Sequence, residues 1–141
     1  MGSRFLYLWS GLNFLISFLI LTIVVFHIGN SPILDLVFEK SEIAGLDAKF
    51  IASLNALTIL YNSCSVVVSV LVWTIIRKNL VAGQKWAFWL LLLVIGFIEV
   101  MAFIASVPIG NARWQLYVVL SVIYGVGIGL SGYSIFKGDK K

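Results

Sequence analysis

Residues 86–107 read WAFWLLLLVIGFIEVMAFIASV, and the fold turns on this stretch. An α-helix needs about 20 mostly apolar residues to cross a hydrocarbon layer, and this run supplies them. Its one ionisable side chain is Glu99. The run does not alternate between apolar and polar residues, so it is not the shorter, two-faced strand of a membrane β-barrel. Backbone groups out of reach of water must then be satisfied within the segment, which makes it a helix.

Three comparable stretches flank it: Phe5–Ile28, Phe50–Ile76 and Trp114–Phe136. The whole chain is 61% hydrophobic and 11% charged, whereas ordinary soluble domains carry roughly a quarter charged residues. The expectation is an all-α integral membrane protein, a four-transmembrane-helix bundle forming a single domain over residues 1–141. The lipid bilayer is its first partner. The net charge of +4 is scattered beside the apolar spans, a pattern that speaks for orientation rather than for nucleic acid. The first stretch is too long for a cleaved signal, with Pro32 after the only plausible cut, and reads as a retained span. Met1-Gly2 lacks the Ser or Thr of a myristoylation motif, with Leu6 in that place.

The charges sort by side. Arg4, then Arg77, Lys78 and Lys85, then Lys137, Lys140 and Lys141 alternate with an opposite face bearing Lys40, Lys49 and Arg113. Asp35, Glu39, Glu42 and Asp47 share the first connection. Both termini and the middle connection are therefore expected in the cytoplasm, making the chain multi-pass. Trp9, Trp73, Trp86 and Trp89 fall near one expected boundary, and Trp114 and Tyr117 near the other, as headgroup-level aromatics do.

Between Gly29 and Lys49 the sequence is not uniformly polar. Ser31 and Pro32 read as a helix start, followed by apolar residues mixed with Asp35 and Glu39, so a short outer interfacial helix is expected in this first loop, with Asp47 capping the second span. Pro108 to Arg113, with Gly110-Asn111, reads as a tight turn joining the last two spans as an antiparallel hairpin.

Glu99 is the leading candidate for chemistry. It lies about two residues past the middle of its span, where an acid is costly and usually faces the bundle interior. Without a cation at the same depth it is expected to be neutral, either as interhelical glue or as a ligand or proton site. In the second span Asn55, Thr58, Asn62, Ser65 and Ser69 recur three and four apart, on one stripe; Asn62, near mid-depth, is the expected partner of Glu99. In the first span Ser10, Asn13 and Ser17 form a matching stripe that leads to His27. Such stripes line helix contacts more often than cavities. His27 is roughly 15 Å from mid-span at 1.5 Å per residue, and is read as interfacial rather than as a ligand, so no metal site is expected.

In the last span Ser121, Gly125 and Gly129 lie four apart, with Gly132 beyond, the spacing of a close helix-packing seam. Cys64, the lone cysteine, excludes an intrachain disulfide or a CxxC pair. HExxH, GxSxG and nucleotide-binding patterns are absent, and no cofactor is implied. Two functional classes remain ahead of the rest. One is a structural or accessory subunit of a membrane assembly, partnered by another membrane protein or by copies of itself. The other is a carrier or receptor for a small amphiphilic or cationic ligand at Glu99, with Asn62, Asn13, Ser17 and Asn55 as walls. An intramembrane enzyme with Glu99 as acid or base ranks third.

The topology is open to a direct test. Single cysteines at Glu42 and Lys78, in a Cys64→Ser background, should react with an impermeant thiol reagent from opposite sides of the membrane. Labelling from one side only would contradict four crossings.

Overall fold

The computed structural model describes residues 1–26, 34, 38, 40–106 and 114–137. Regular structure among these is wholly helical. In chain order the helices are α1 (Gly2–Val25), α2 (Lys40–Ile43), α3 (Ala48–Ile75), α4 (Lys85–Leu90), α5 (Gly96–Ser106) and α6 (Trp114–Lys137), with π-helical turns at Ile76–Leu80 and Leu91–Ile95. The π-turns extend α3 to Leu80 and join α4 to α5. Four continuous helices result that are long and apolar enough to cross a membrane: Gly2–Val25, Ala48–Leu80, Lys85–Ile104 and Val118–Lys137. They correspond to the four apolar stretches of the sequence. His27, Asn111 and the rest of the expected tight turn, and the C-terminal Lys140 and Lys141 lie outside the described residues. So does most of the expected interfacial helix, although within it the Phe38 N–H donates to the Leu34 carbonyl at 2.9 Å.

The chain divides into two compact units, one of Met1–Leu12 with Ser69–Lys141 and one of Asn13–Val68. In the second unit the polar stripe of α3 turns inward. Thr58 and Asn62 are buried, and both bond back to their own helix: Thr58 Oγ1 donates to the Leu54 carbonyl at 2.8 Å and Asn62 Nδ2 to the Thr58 carbonyl at 2.8 Å. Such back-bonding satisfies a hydroxyl or amide in apolar surroundings without a partner helix. A cross-helix tie on this stripe is Ser17 Oγ donating to Ser65 Oγ at 2.8 Å. At the start of α3 the Asp47 side chain accepts from the Lys49 N–H at 3.2 Å, capping the helix as its sequence position suggests.

The first unit is built on an antiparallel pairing of α1 with α6. Leu6 lies against Gly127, and the Trp9 ring is 5.5 Å from the Tyr124 ring. A Cβ at Gly127 would come within 2.9 Å of Leu6, and one at Gly132 within 2.8 Å of Phe88. Gly2 is closer still, set against the Ser131 backbone and the Gly127 carbonyl, so Gly2, Gly127 and Gly132 are the sites of close approach. Gly125 and Gly129, expected to form the seam with Ser121, are exposed and have nothing within 4 Å of a Cβ position. The reason is rotational: Leu120, Tyr124 and Ile128 are buried on the inward face, and a glycine one residue after Tyr124 or Ile128 is turned away from it. Gly132 alone of the expected seam glycines packs within the chain.

Between α3 and α4 the chain reverses at Gly83, whose φ of 75° is open to glycine at no steric cost. The Gly83 N–H donates to the Leu80 carbonyl and the Gln84 N–H to the Asn79 carbonyl, each at 3.0 Å, which closes the helix end in a Schellman motif.

Gly127→Ala should cost about 1–3 kcal/mol by overpacking Leu6, whereas Gly129→Ala should be neutral or slightly stabilising through its helix propensity. Unfolding of the two variants in mixed detergent measures the difference; equal losses would contradict this register.

A carboxyl held by three helices

Glu99 lies on α5, just beyond the π-turn Leu91–Ile95. In that turn the Gly96 N–H reaches the Leu91 carbonyl five residues back, and the same carbonyl accepts a second bond, at 2.8 Å, from the Tyr124 hydroxyl. A Cβ at Gly96 would stand 3.5 Å from the Tyr124 oxygen, an ordinary contact, so the approach does not require glycine. π-Turns within α-helices gather at functional sites. Here the turn is pinned to α6 by one tyrosine.

Two neutral donors converge on the carboxyl. Trp9 Nε1 of α1 donates to Glu99 Oε1 at 3.0 Å, and Ser121 Oγ of α6 donates to Glu99 Oε2 at 2.7 Å. Ser121 and Tyr124 are three residues apart on α6, so one face of that helix serves both the carboxyl and the π-turn. Trp9 is only 4% exposed and Tyr124 7%, and their tilted rings wall one side of the site. All these residues belong to the first unit.

The donor chemistry decides what the site can do. An indole N–H only donates, so Oε1 has to accept. A serine hydroxyl donates or accepts, so Oε2 can meet Ser121 either ionised, as acceptor, or protonated, as donor. The arrangement thus holds the carboxyl in place in either state. It also fits a glutamine, whose amide oxygen would face Trp9 and whose NH₂ would face Ser121.

Asn62, expected as the partner of Glu99, spends its Nδ2 on Thr58, while the two oxygens of Glu99 are taken by Trp9 and Ser121. Ser17 is engaged with Ser65, Asn13 is half-buried, and Asn55 is half-buried with its Oδ1 lacking a hydrogen-bond partner. Ser121, expected in the packing seam, is instead a ligand of the carboxyl. Trp9 is buried within the unit, whereas Trp73, Trp86 and Trp89 are exposed. The signal that places Trp9 inside is its register with Leu6, Asn13 and Ser17, three and four residues apart along one side of α1. Tyr124 carries no such mark. Among the described residues no group of three or more His, Cys, Asp or Glu could hold a metal ion.

Compared with known proteins, the chain matches no family model, no curated protein and no solved structure.

Glu99→Gln should leave stability within ~1 kcal/mol of the parent, and Glu99→Leu should lower it by ~1–3 kcal/mol, because the leucine leaves the Trp9 and Ser121 donors without acceptors. Reversible unfolding in mixed micelles measures both. A leucine variant as stable as the parent would contradict the tie.

Proposed function

We propose that the chain is a multi-pass membrane protein, with both termini in the cytoplasm, that serves as a structural or accessory subunit of a membrane assembly. The membrane setting is supported by the four apolar helices and by the large side chains they expose, among them Leu57, Leu60, Leu93 and Phe97. A soluble monomer rarely presents so extended an apolar surface.

The observation that carries the subunit reading is the outward face of α6. Gly125 and Gly129 are exposed there, with open space before them, and glycines four apart are the surface on which a second transmembrane helix makes backbone-level contact. The occupant is a helix of another membrane-embedded chain, either a copy of this one or a different protein. The internal use of Glu99 points the same way, since both carboxyl oxygens are occupied in holding α1, α5 and α6 together.

A second reading is favoured by one observation. Glu99 is half-buried rather than sealed, and a carboxyl beside the aromatic rings of Trp9 and Tyr124 has the chemistry that receives an ammonium group. On this reading the chain is a carrier or receptor for a small amphiphilic cation, and Glu99→Gln abolishes binding while leaving the bundle intact.

Gly129→Leu separates the two readings. It should shift the detergent-solubilised protein, or its complex, to a smaller assembly without unfolding the chain, and Leu130→Ile should not. Cross-linking through Gly129→Cys in a Cys64→Ser background tells self-association from a foreign partner. An unchanged assembly size in the leucine variant would contradict the subunit reading.

A further inference from the structure

One end of the first unit gathers cations from several helices. Tyr7 packs on Trp73 with ring centroids 4.7 Å apart, and Ser10 Oγ donates to the Ser69 carbonyl at 2.8 Å. These contacts bring Arg77 and Lys78, after α3, to the same end as Arg4 on α1. The pairing of Gly132 with Phe88 brings Lys85, at the start of α4, beside Lys137, at the end of α6.

The last two are held against aromatic rings. Lys85 Nζ lies 5.9 Å from the centroid of Phe136, which itself packs against Phe88 and Trp89 at 5.4 and 6.2 Å. Lys137 Nζ lies 4.9 Å from the Tyr133 ring centroid and donates to the Tyr133 hydroxyl at 2.6 Å. Trp73, Trp86 and Trp89 are exposed around the patch, and the Trp86 indole donates to Gln84 Oε1 at 2.7 Å. Within the first unit Glu99, an acid of α5, is engaged by Trp9 and Ser121. Beyond Lys137 the sequence adds Asp139 together with Lys140 and Lys141.

We propose that this basic, aromatic-floored end of the first unit binds the headgroups of anionic phospholipids. Orientation alone needs cations on one side of the membrane; it does not need Lys85 seated on a ring of α6 and Lys137 on a ring of its own helix. Exposed tryptophans mark the headgroup level, and the cations flank apolar spans directly. A lipid phosphate can therefore meet them while its acyl chains lie along the exposed apolar surface. Clustered Lys and Arg beside a span have this affinity, and it weakens with salt. The proposal rests on the membrane reading above.

The full chain, reconstituted in phosphatidylcholine with brominated phosphatidylglycerol or brominated phosphatidylcholine, reports lipid preference through tryptophan quenching. Phosphatidylglycerol should be preferred at low salt, and the preference should shrink as salt rises. The double variant Lys85→Gln/Lys137→Gln should weaken it by about fivefold per charge removed, and Arg77→Gln/Lys78→Gln provides a second, independently folded test. Lys49→Gln, outside the patch, should leave it unchanged. A preference that is absent, insensitive to salt, or equal in the parent and both double variants would overturn the proposal. Extraction with alkaline carbonate separates the two failures: release of the chain from membranes sinks the membrane reading itself, whereas a retained chain without lipid preference sinks the headgroup site alone.

Discussion

A carboxyl partly buried on an apolar helix loses solvating water to its neighbours and is stabilised where they supply donors. Glu99 finds them on two other helices, Trp9 on α1 and Ser121 on α6. The geometry of the first unit follows from that need. Trp9 reaches Glu99 only if α1 lies deep against α6, and this depth puts Leu6 on Gly127, where any side chain larger than hydrogen would crowd it. The same face of α6 carries Tyr124, whose hydroxyl completes the π-turn before Glu99. A single polar group thus sets the register of three helices, although each of its bonds is worth only about 0.6 kcal/mol on average in membrane proteins.

The two units solve the problem of polar groups in apolar surroundings differently. In the second, Thr58 and Asn62 each bond back to their own helix, and Ser17 bonds to Ser65. In the first, the bonds run between helices, from Trp9, Ser10, Ser121 and Tyr124. A cross-helix bond to a donor-only indole fixes how two helices meet, and that bond lies in the first unit, at Glu99.

Much of the fold was legible because spanning length and continuous hydrophobicity are strong signals; the four apolar helices lie close to where the sequence put them. Asp47 was legible as a cap, and the inward turn of Ser10, Ser17, Thr58, Asn62 and Ser69 followed from their three-and-four spacing. The partner of Glu99 was not, since spacing says which residues share a face and nothing about which faces meet. Asn62 had the right chemistry, but its amide is satisfied one turn away. The glycines of α6 show a related limit: Gly125 and Gly129 have the spacing of a seam, but spacing does not say whether a seam meets the same chain or a partner, and it is the bulk of Leu120, Tyr124 and Ile128 that turns these two glycines outward. The π-turn at Leu91–Ile95 left no trace in the sequence, as its Leu91 carbonyl is held by a tertiary bond from Tyr124.

The central claim is that Trp9 and Glu99 are energetically coupled across the α1–α5 contact. A double-mutant cycle of Trp9→Phe and Glu99→Leu, read by reversible unfolding in mixed micelles, isolates that coupling from the packing each side chain provides alone. Two residues joined by this hydrogen bond should couple by about 0.5–1.7 kcal/mol, with the double variant less destabilised than the sum of the singles. Strict additivity would mean that Glu99 is not held by Trp9 and that the register of the helices has another cause.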